Sequence, residues 1–117
     1  MTYSEALNGM NITLCDHKSE RLWASVWARI ENGMLRVEGQ DLGDVPLEWF
    51  GSDEYEYFYD FDLSNTEKLL QTLAEGKKDP VEELRRRFSG MNGCSALTAF
   101  CEEHGIQYRR SSWISHL

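Results

Sequence analysis

The residues best suited to chemistry in this sequence are its carboxylates. Ten of the twenty Asp and Glu residues fall between Val37 and Glu67, a stretch without Lys, Arg or His. Outside it ten acids face twelve Lys and Arg, so the net charge of -8 is a local property. At its centre Asp53-Glu54-Tyr55-Glu56-Tyr57-Phe58-Tyr59-Asp60-Phe61-Asp62 alternates acids with aromatics. Carboxylates in such numbers suit three kinds of chemistry: acid-base hydrolysis by a pair, coordination of a hard cation, and attraction of a partner's Lys and Arg. A hydrolytic pair is not singled out, because an acid-rich chain offers many pairs and no separation. For a cation, Asp53-Glu54-Tyr55-Glu56 lacks the spacing and glycine turn of a calcium loop, leaving Asp41, Asp44 and Asp53 as a set that would have to converge. The partner reading needs only that like charges in one row repel unless a cation relieves them.

Other constellations are weaker. Cys101 and His104 share a helical face, with Cys94 nearby, and Cys15 with His17 would complete four ligands, but the spacings match no common zinc module. Three cysteines without a secretory leader read as reduced, buried thiols, and no catalytic signature accompanies them. Arg85-Arg86-Arg87 invites a nucleic-acid reading. Three consecutive arginines spread around a helix, however, and pair more readily with Glu82, Glu83 or the acidic strand. The acidic balance disfavours nucleic acid and anionic lipid, and no apolar run reaches the length of a membrane span. The expectation is a cytoplasmic protein that folds without cofactor or metal.

The elements that must position these residues follow from periodicity. Met10 to Cys15 alternates as a first strand, Asp16 to Glu20 is a charged turn, and Leu22, Ala24, Val26, Ala28 and Ile30 share one face of a second strand. Its other face carries Trp23, Ser25, Trp27 and Arg29. Asn32-Gly33 suits a type I′ hairpin into a third strand from Met34 to Glu38. Gly39 should break that strand, making 39–53 a long loop that holds Trp49 and Phe50. A fourth strand from Glu54 to Asp62 points Tyr55, Tyr57, Tyr59 and Phe61 one way and Glu54, Glu56, Phe58, Asp60 and Asp62 the other. Trp23 and Trp27 either extend this acidic surface or, the preferred reading, form a small second core under the loop.

Helices come next. Ser64-Asn65-Thr66-Glu67 matches a capping box ahead of Leu69, Leu70 and Leu73. Asp79-Pro80 opens a second helix with Val81, Leu84 and Phe88 inside, and a third runs from Ser95 to His104 with Gly105 as terminator. Ile106 to Arg109 suggests a short last strand, and Ser111 to Leu117 is left unassigned. Strands first and helices afterwards predict a single α+β domain over 1–117. Four to five antiparallel strands form the N-terminal half, with about three helices packed on one face.

Val37-Glu38-Gly39-Gln40-Asp41-Leu42-Gly43, Trp49-Phe50-Gly51, Tyr55-Glu56-Tyr57 and Phe100-Cys101-Glu102-Glu103-His104-Gly105-Ile106 together resemble small bacterial proteins. Some of these resemble immunity proteins of contact-dependent growth inhibition and related polymorphic-toxin systems. The similarity covers Arg29 to Ile106 and carries over no site residues. It implies a cytosolic antitoxin that binds a toxin domain, often a nuclease, delivered by a neighbouring cell. The expected function is therefore binding without catalysis, by a chain favoured to be monomeric, to a toxin domain with a basic surface. Asp53, Glu54, Glu56, Asp60 and Asp62 would supply the electrostatics, and Trp49, Phe50 and Phe58 the apolar contacts. The competing readings are a small metal-dependent or carboxylate enzyme and a homo-oligomeric module associating through Trp23 and Trp27.

Overall fold

A computed structural model describes residues 1–114 of the chain. A short helix α1 (Tyr3–Ala6) precedes three strands, β1 (Asn11–Lys18), β2 (Trp23–Glu31) and β3 (Met34–Leu42). Helix α2 (Asp44–Phe50) and strand β4 (Glu54–Asp60) follow. Then come α3 (Leu63–Leu73), α4 (Pro80–Phe88), α5 (Gly93–His104) and the last strand, β5 (Arg109–Ile114). The sheet order is β1-β2-β3-β4-β5, each pair antiparallel, which bears out the α+β expectation.

Alternation decides which face is covered. Ala24, Val26, Ala28 and Ile30 of β2, Leu35 and Val37 of β3, and Tyr59 of β4 are buried on one face. There all of them but Ala24 join Phe61, Leu69, Leu70 and Leu73 around α3, Leu84 and Phe88 of α4, and Leu97 and Cys101 of α5 in one core. The Asn32-Gly33 turn has positive φ at both residues, 54° and 74°, as the type I′ geometry demands. Asp79 caps α4 by accepting from the Val81 amide at 2.9 Å, with Pro80 at the first helical position. Gly105 ends α5 in the left-handed region.

Four sequence expectations need correction. First, β1 runs on to Lys18 through the supposed charged turn. It contains a bulge between Thr13 and Cys15, and the carbonyl of the extra residue, Leu14, accepts from Gly90 N–H at 2.9 Å. Second, 39–53 is not a loop. β3 continues to Leu42, and α2 carries Pro46 within its first turn, where the missing amide costs no helical bond. Third, α3 is capped by Asp62, whose Oδ1 accepts from Asn65 N–H at 2.8 Å, and not by Ser64. The capping-box residues have other tasks. Thr66 Oγ1 accepts from Leu35 N–H at 2.9 Å and donates to the Phe61 carbonyl at 3.3 Å, while Glu67 accepts from the amides of Tyr3 and Ser4. Fourth, the last strand lies at Arg109–Ile114, later than Ile106 to Arg109. The remainder of the unassigned tail, 115–117, lies outside the described residues.

Strand β3 survives its interior glycine because Tyr57 replaces the missing side chain. Gly39 pairs directly with Tyr57, and a Cβ on Gly39 would sit 2.0 Å from the Tyr57 Cζ. The ring therefore lies across the β3 backbone, covering the glycine as a cross-strand aromatic does. Gly39→Ala is expected to destabilise the fold by about 1–3 kcal/mol in urea unfolding. Most of that loss should vanish when Gly39→Ala is introduced into a Tyr57→Ala background. Equal cost in both backgrounds would show that the glycine answers to something other than the ring.

Candidate functional site

Among the described residues the helices that bury core residues do so on one face, and the other face of the sheet is left as a surface. Its residues are read directly from strand register. One row runs Lys18, Trp23, Leu42 and Glu54, and the next Asp16, Ser25, Gln40, Glu56 and Trp113. A third runs Thr13, Trp27, Glu38, Phe58 and Ser111, and a fourth Asn11, Arg29, Arg36, Asp60 and Arg109. Trp23 is 44% exposed and Trp113 51%, while Trp27 is half-buried among its neighbours. Among the described residues the second core expected over Trp23 and Trp27 is therefore absent: the segment meant to cover them became β3 and α2.

Of the eight residues expected to form a binding surface, four meet here. Glu54, Glu56, Phe58 and Asp60 project from β4 onto the open face, as alternation requires. The others go elsewhere. Asp62 is consumed as the cap of α3, and Asp53 precedes β4, outside the strand row. Phe50 stacks on Tyr55 at 4.2 Å, pinning α2 against the opposite face of β4. Trp49 stands 76% exposed on α2, outside the strands. Periodicity alone put Asp62 in line with the strand, but the strand ends first and the helix claims its carboxylate.

The surface is also less uniformly acidic than the sequence implies. Arg36 donates to both Asp60 oxygens, at 2.6 and 3.1 Å, and its guanidinium lies 4.6 Å from the Phe58 ring centre. Arg29 and Arg109 flank this pair in the same row, which makes that end of the face net positive. The acidic part is Glu38, Glu54 and Glu56. Gln40 Nε2 donates to Glu54 Oε1 at 3.2 Å and to Glu56 Oε1 at 3.4 Å, holding the two carboxylates side by side. Glu38, Gln40, Arg36, Arg29 and Trp113 were not foreseen as a site. Arg36 and Glu38 lie within the third strand expected from the sequence, and Gln40 becomes legible once strand period two is carried through Gly39.

The rival chemistries find less support in the geometry. Asp41 faces the helix side, half-buried, and its carboxyl is raised by loss of water, while Asp44 lies in the first turn of α2. Among the described residues no group of three His, Cys, Asp or Glu is arranged to hold a metal ion. The three thiols are free. Burial pushes Cys101 up to about 11 and also raises Cys15 and Cys94, so they stay protonated and weakly nucleophilic at neutral pH. The arginine run is internally paired: Arg85 with Glu82, and Arg86 and Arg87 with Glu83. Hydrogen bonding from Arg86 holds the Glu83 carboxyl down to about 2.

Crowding gives the acidic part a measurable signature. Loss of water, reinforced by the charges of Glu54 and Glu38 and a shared hydrogen bond with Glu54, raises the Glu56 carboxyl above its ordinary value. A carboxyl raised in the folded state binds more protons there than in the unfolded chain. It therefore costs stability above its folded pKa, and the cost disappears as pH falls through that value. Glu54→Gln is expected to return Glu56 toward the ordinary range in a carboxyl-carbon NMR titration, and Glu56→Gln to flatten the stability profile across that window. A Glu56 titration unmoved by Glu54→Gln would show that the two carboxyls are not coupled. The chain matches no protein-family model, no curated protein and no solved structure.

Proposed function

We propose that this chain is a protein-binding module that docks its partner on the open sheet face, acting without catalysis. The observation that carries the reading is one sheet face, uncovered among the described residues, bearing four large aromatics, Trp23, Trp27, Phe58 and Trp113, beside the crowded carboxylates Glu38, Glu54 and Glu56. Exposed and half-buried aromatics interleaved with charge suit an interaction surface, and aromatics near the centre of an interface supply most of the binding energy. A cationic partner would relieve the repulsion from Glu54 and Glu38 that adds to loss of water in raising Glu56, so the charges that crowd the free surface favour the complex.

The specific form of this reading is the one that the resemblance implies, an immunity protein that neutralises a cognate toxin domain by direct binding. A nuclease toxin needs a positive surface to hold phosphates, and Glu38, Glu54 and Glu56 would occupy that surface by charge complementarity. Trp27 and Phe58 then serve as the apolar centre. No helix among the described residues is long and apolar enough to cross a membrane.

The test is binding of the purified chain to the product of the gene immediately upstream, at two salt concentrations. Tight binding that weakens with salt is expected. Glu54→Lys with Glu56→Lys should slow association about tenfold at low salt, since charge changes act mainly on encounter. Trp27→Ala should instead hasten dissociation, at a cost of about 2 kcal/mol. Binding that ignores both changes would remove the open face from the complex, and no binding at either salt would overturn the immunity reading.

A further inference from the structure

We propose that the outer edge of β5 pairs with β5 of a second copy, antiparallel, in a register centred on Ser111. This extends two five-stranded sheets into one. It needs no partner on the open face, although it shares Arg109 and Trp113 with that face, and it departs from the monomer expected from the sequence.

The two edges of the sheet differ. Strand β1 is interrupted by its bulge and ends in Asp16, His17 and Lys18, devices that discourage edge pairing. Strand β5 has none of the backbone devices. Its six residues pair with β4 without a shift in register, contain no proline, and are exposed from Arg109 to Trp113. Among the described residues no strand pairs with its outer side, so every second amide and carbonyl there faces outward.

Arg109 and Arg110 would oppose a second copy if they met their own counterparts. The strand geometry avoids this. A two-fold axis normal to the sheet keeps the helix-covered face on the same side in both copies, so facing residues must share a face. Centring on Ser111 satisfies that rule. Ser111 then meets Ser111 of the second copy, Arg110 meets Ser112, and Arg109 meets Trp113 on the open face. Arginine opposite an aromatic ring is a favourable cross-strand pair. The next strand adds charge complementarity: Trp113 lies beside Glu56 and Arg109 beside Asp60, so the positive row of one sheet continues into the acidic row of the other. Centring on Arg110 would instead set two arginines face to face.

Sedimentation equilibrium of the purified chain over a wide concentration range tests this directly. Reversible dimers of twice the chain mass are expected. Ser111→Glu and Ser111→Lys, each alone, should weaken the dimer by about tenfold or more, because each places like charges across the axis. An equimolar mixture of the two should regain it, which also shows that both variants fold. Trp27→Ala, on the open face but three strands from the edge, should leave the dimer intact. A chain monomeric at every concentration overturns the proposal and leaves the edge for a strand of another protein. Dimers unaffected by either Ser111 variant, no recovery in the mixture, or dimers lost in Trp27→Ala also overturn it.

Discussion

The contact on which the remaining structure depends is the Tyr57 ring lying across Gly39. A one-residue slip of β4 against β3 would turn every side chain of β4 to the other face. Glu54, Glu56 and Asp60 would enter the core, and Tyr55, Tyr57 and Tyr59 would leave it. Apolar alternation opposes that slip in general, but the paired glycine and tyrosine oppose it at one place, because only opposite Gly39 is there room for the ring. Tyr57 also joins a run of aromatic contacts along β4, with Tyr55 at 5.7 Å and Tyr59 at 6.1 Å between ring centres. Fixing one ring therefore fixes the register of the strand that carries the acids.

This is also why the sequence reads well in some places and badly in others. Where apolar period two ran uninterrupted, as from Leu22 to Ile30, the strand and its buried face were legible. The Asn32-Gly33 turn and the Asp79-Pro80 start were legible because each rests on backbone chemistry within a few residues. Gly39 misled, since its tolerance inside a strand comes from a ring eighteen positions away. The signal for α2 was present in Asp44-Val45-Pro46, an acid and a proline in a first turn, but it was masked once the strand was assumed to end early. Strand β5 was legible only as a short last strand placed too early, at Ile106 to Arg109: Arg109, Arg110, Ser111 and Ser112 carry no apolar period, because an edge strand exposed along its length need not bury a face. Of the candidate site, alternation correctly turned Glu54, Glu56, Phe58 and Asp60 outward. What alternation cannot supply is the identity of cross-strand neighbours, and those decided that Asp60 would be neutralised by Arg36.

That neutralisation changes how the open face works. A uniformly acidic row would attract cations along its whole length. Here the Arg36 fork on Asp60 gives a strong paired geometry and also covers the Phe58 ring, so the C-terminal end of β4 is stiffened rather than charged. Trp23 is held in a similar way, its Nε1 donating to Asp16 at 3.1 Å and Lys18 Nζ lying 5.0 Å from its ring centre. Aromatics fixed before a partner arrives lose little side-chain freedom on binding, which favours affinity without added area.

The centre of the proposed interaction surface consequently lies away from where charge counting would place it. Asp62 caps a helix and Asp60 is paired, so two of the acids nearest the C-terminal end of the stretch contribute little attraction. Glu38, Glu54 and Glu56 remain: Glu54 and Glu56 adjoin Gln40 toward the α2 end of the sheet, and Glu38 adjoins Phe58 at mid-strand. In the two rows that contain Glu54 and Glu56 the apolar members are Trp23, Leu42 and Trp113. A basic partner drawn to these carboxylates would thus meet Trp23 and Trp113 at its flanks and Trp27 and Phe58 in the adjoining row, with Arg29 and Arg109 beyond. A surface that is acidic at one end and basic at the other fixes the orientation of whatever docks on it, because reversing the partner would bring like charges together. Orientation, more than total charge, is what this arrangement of strands adds to an acidic sequence.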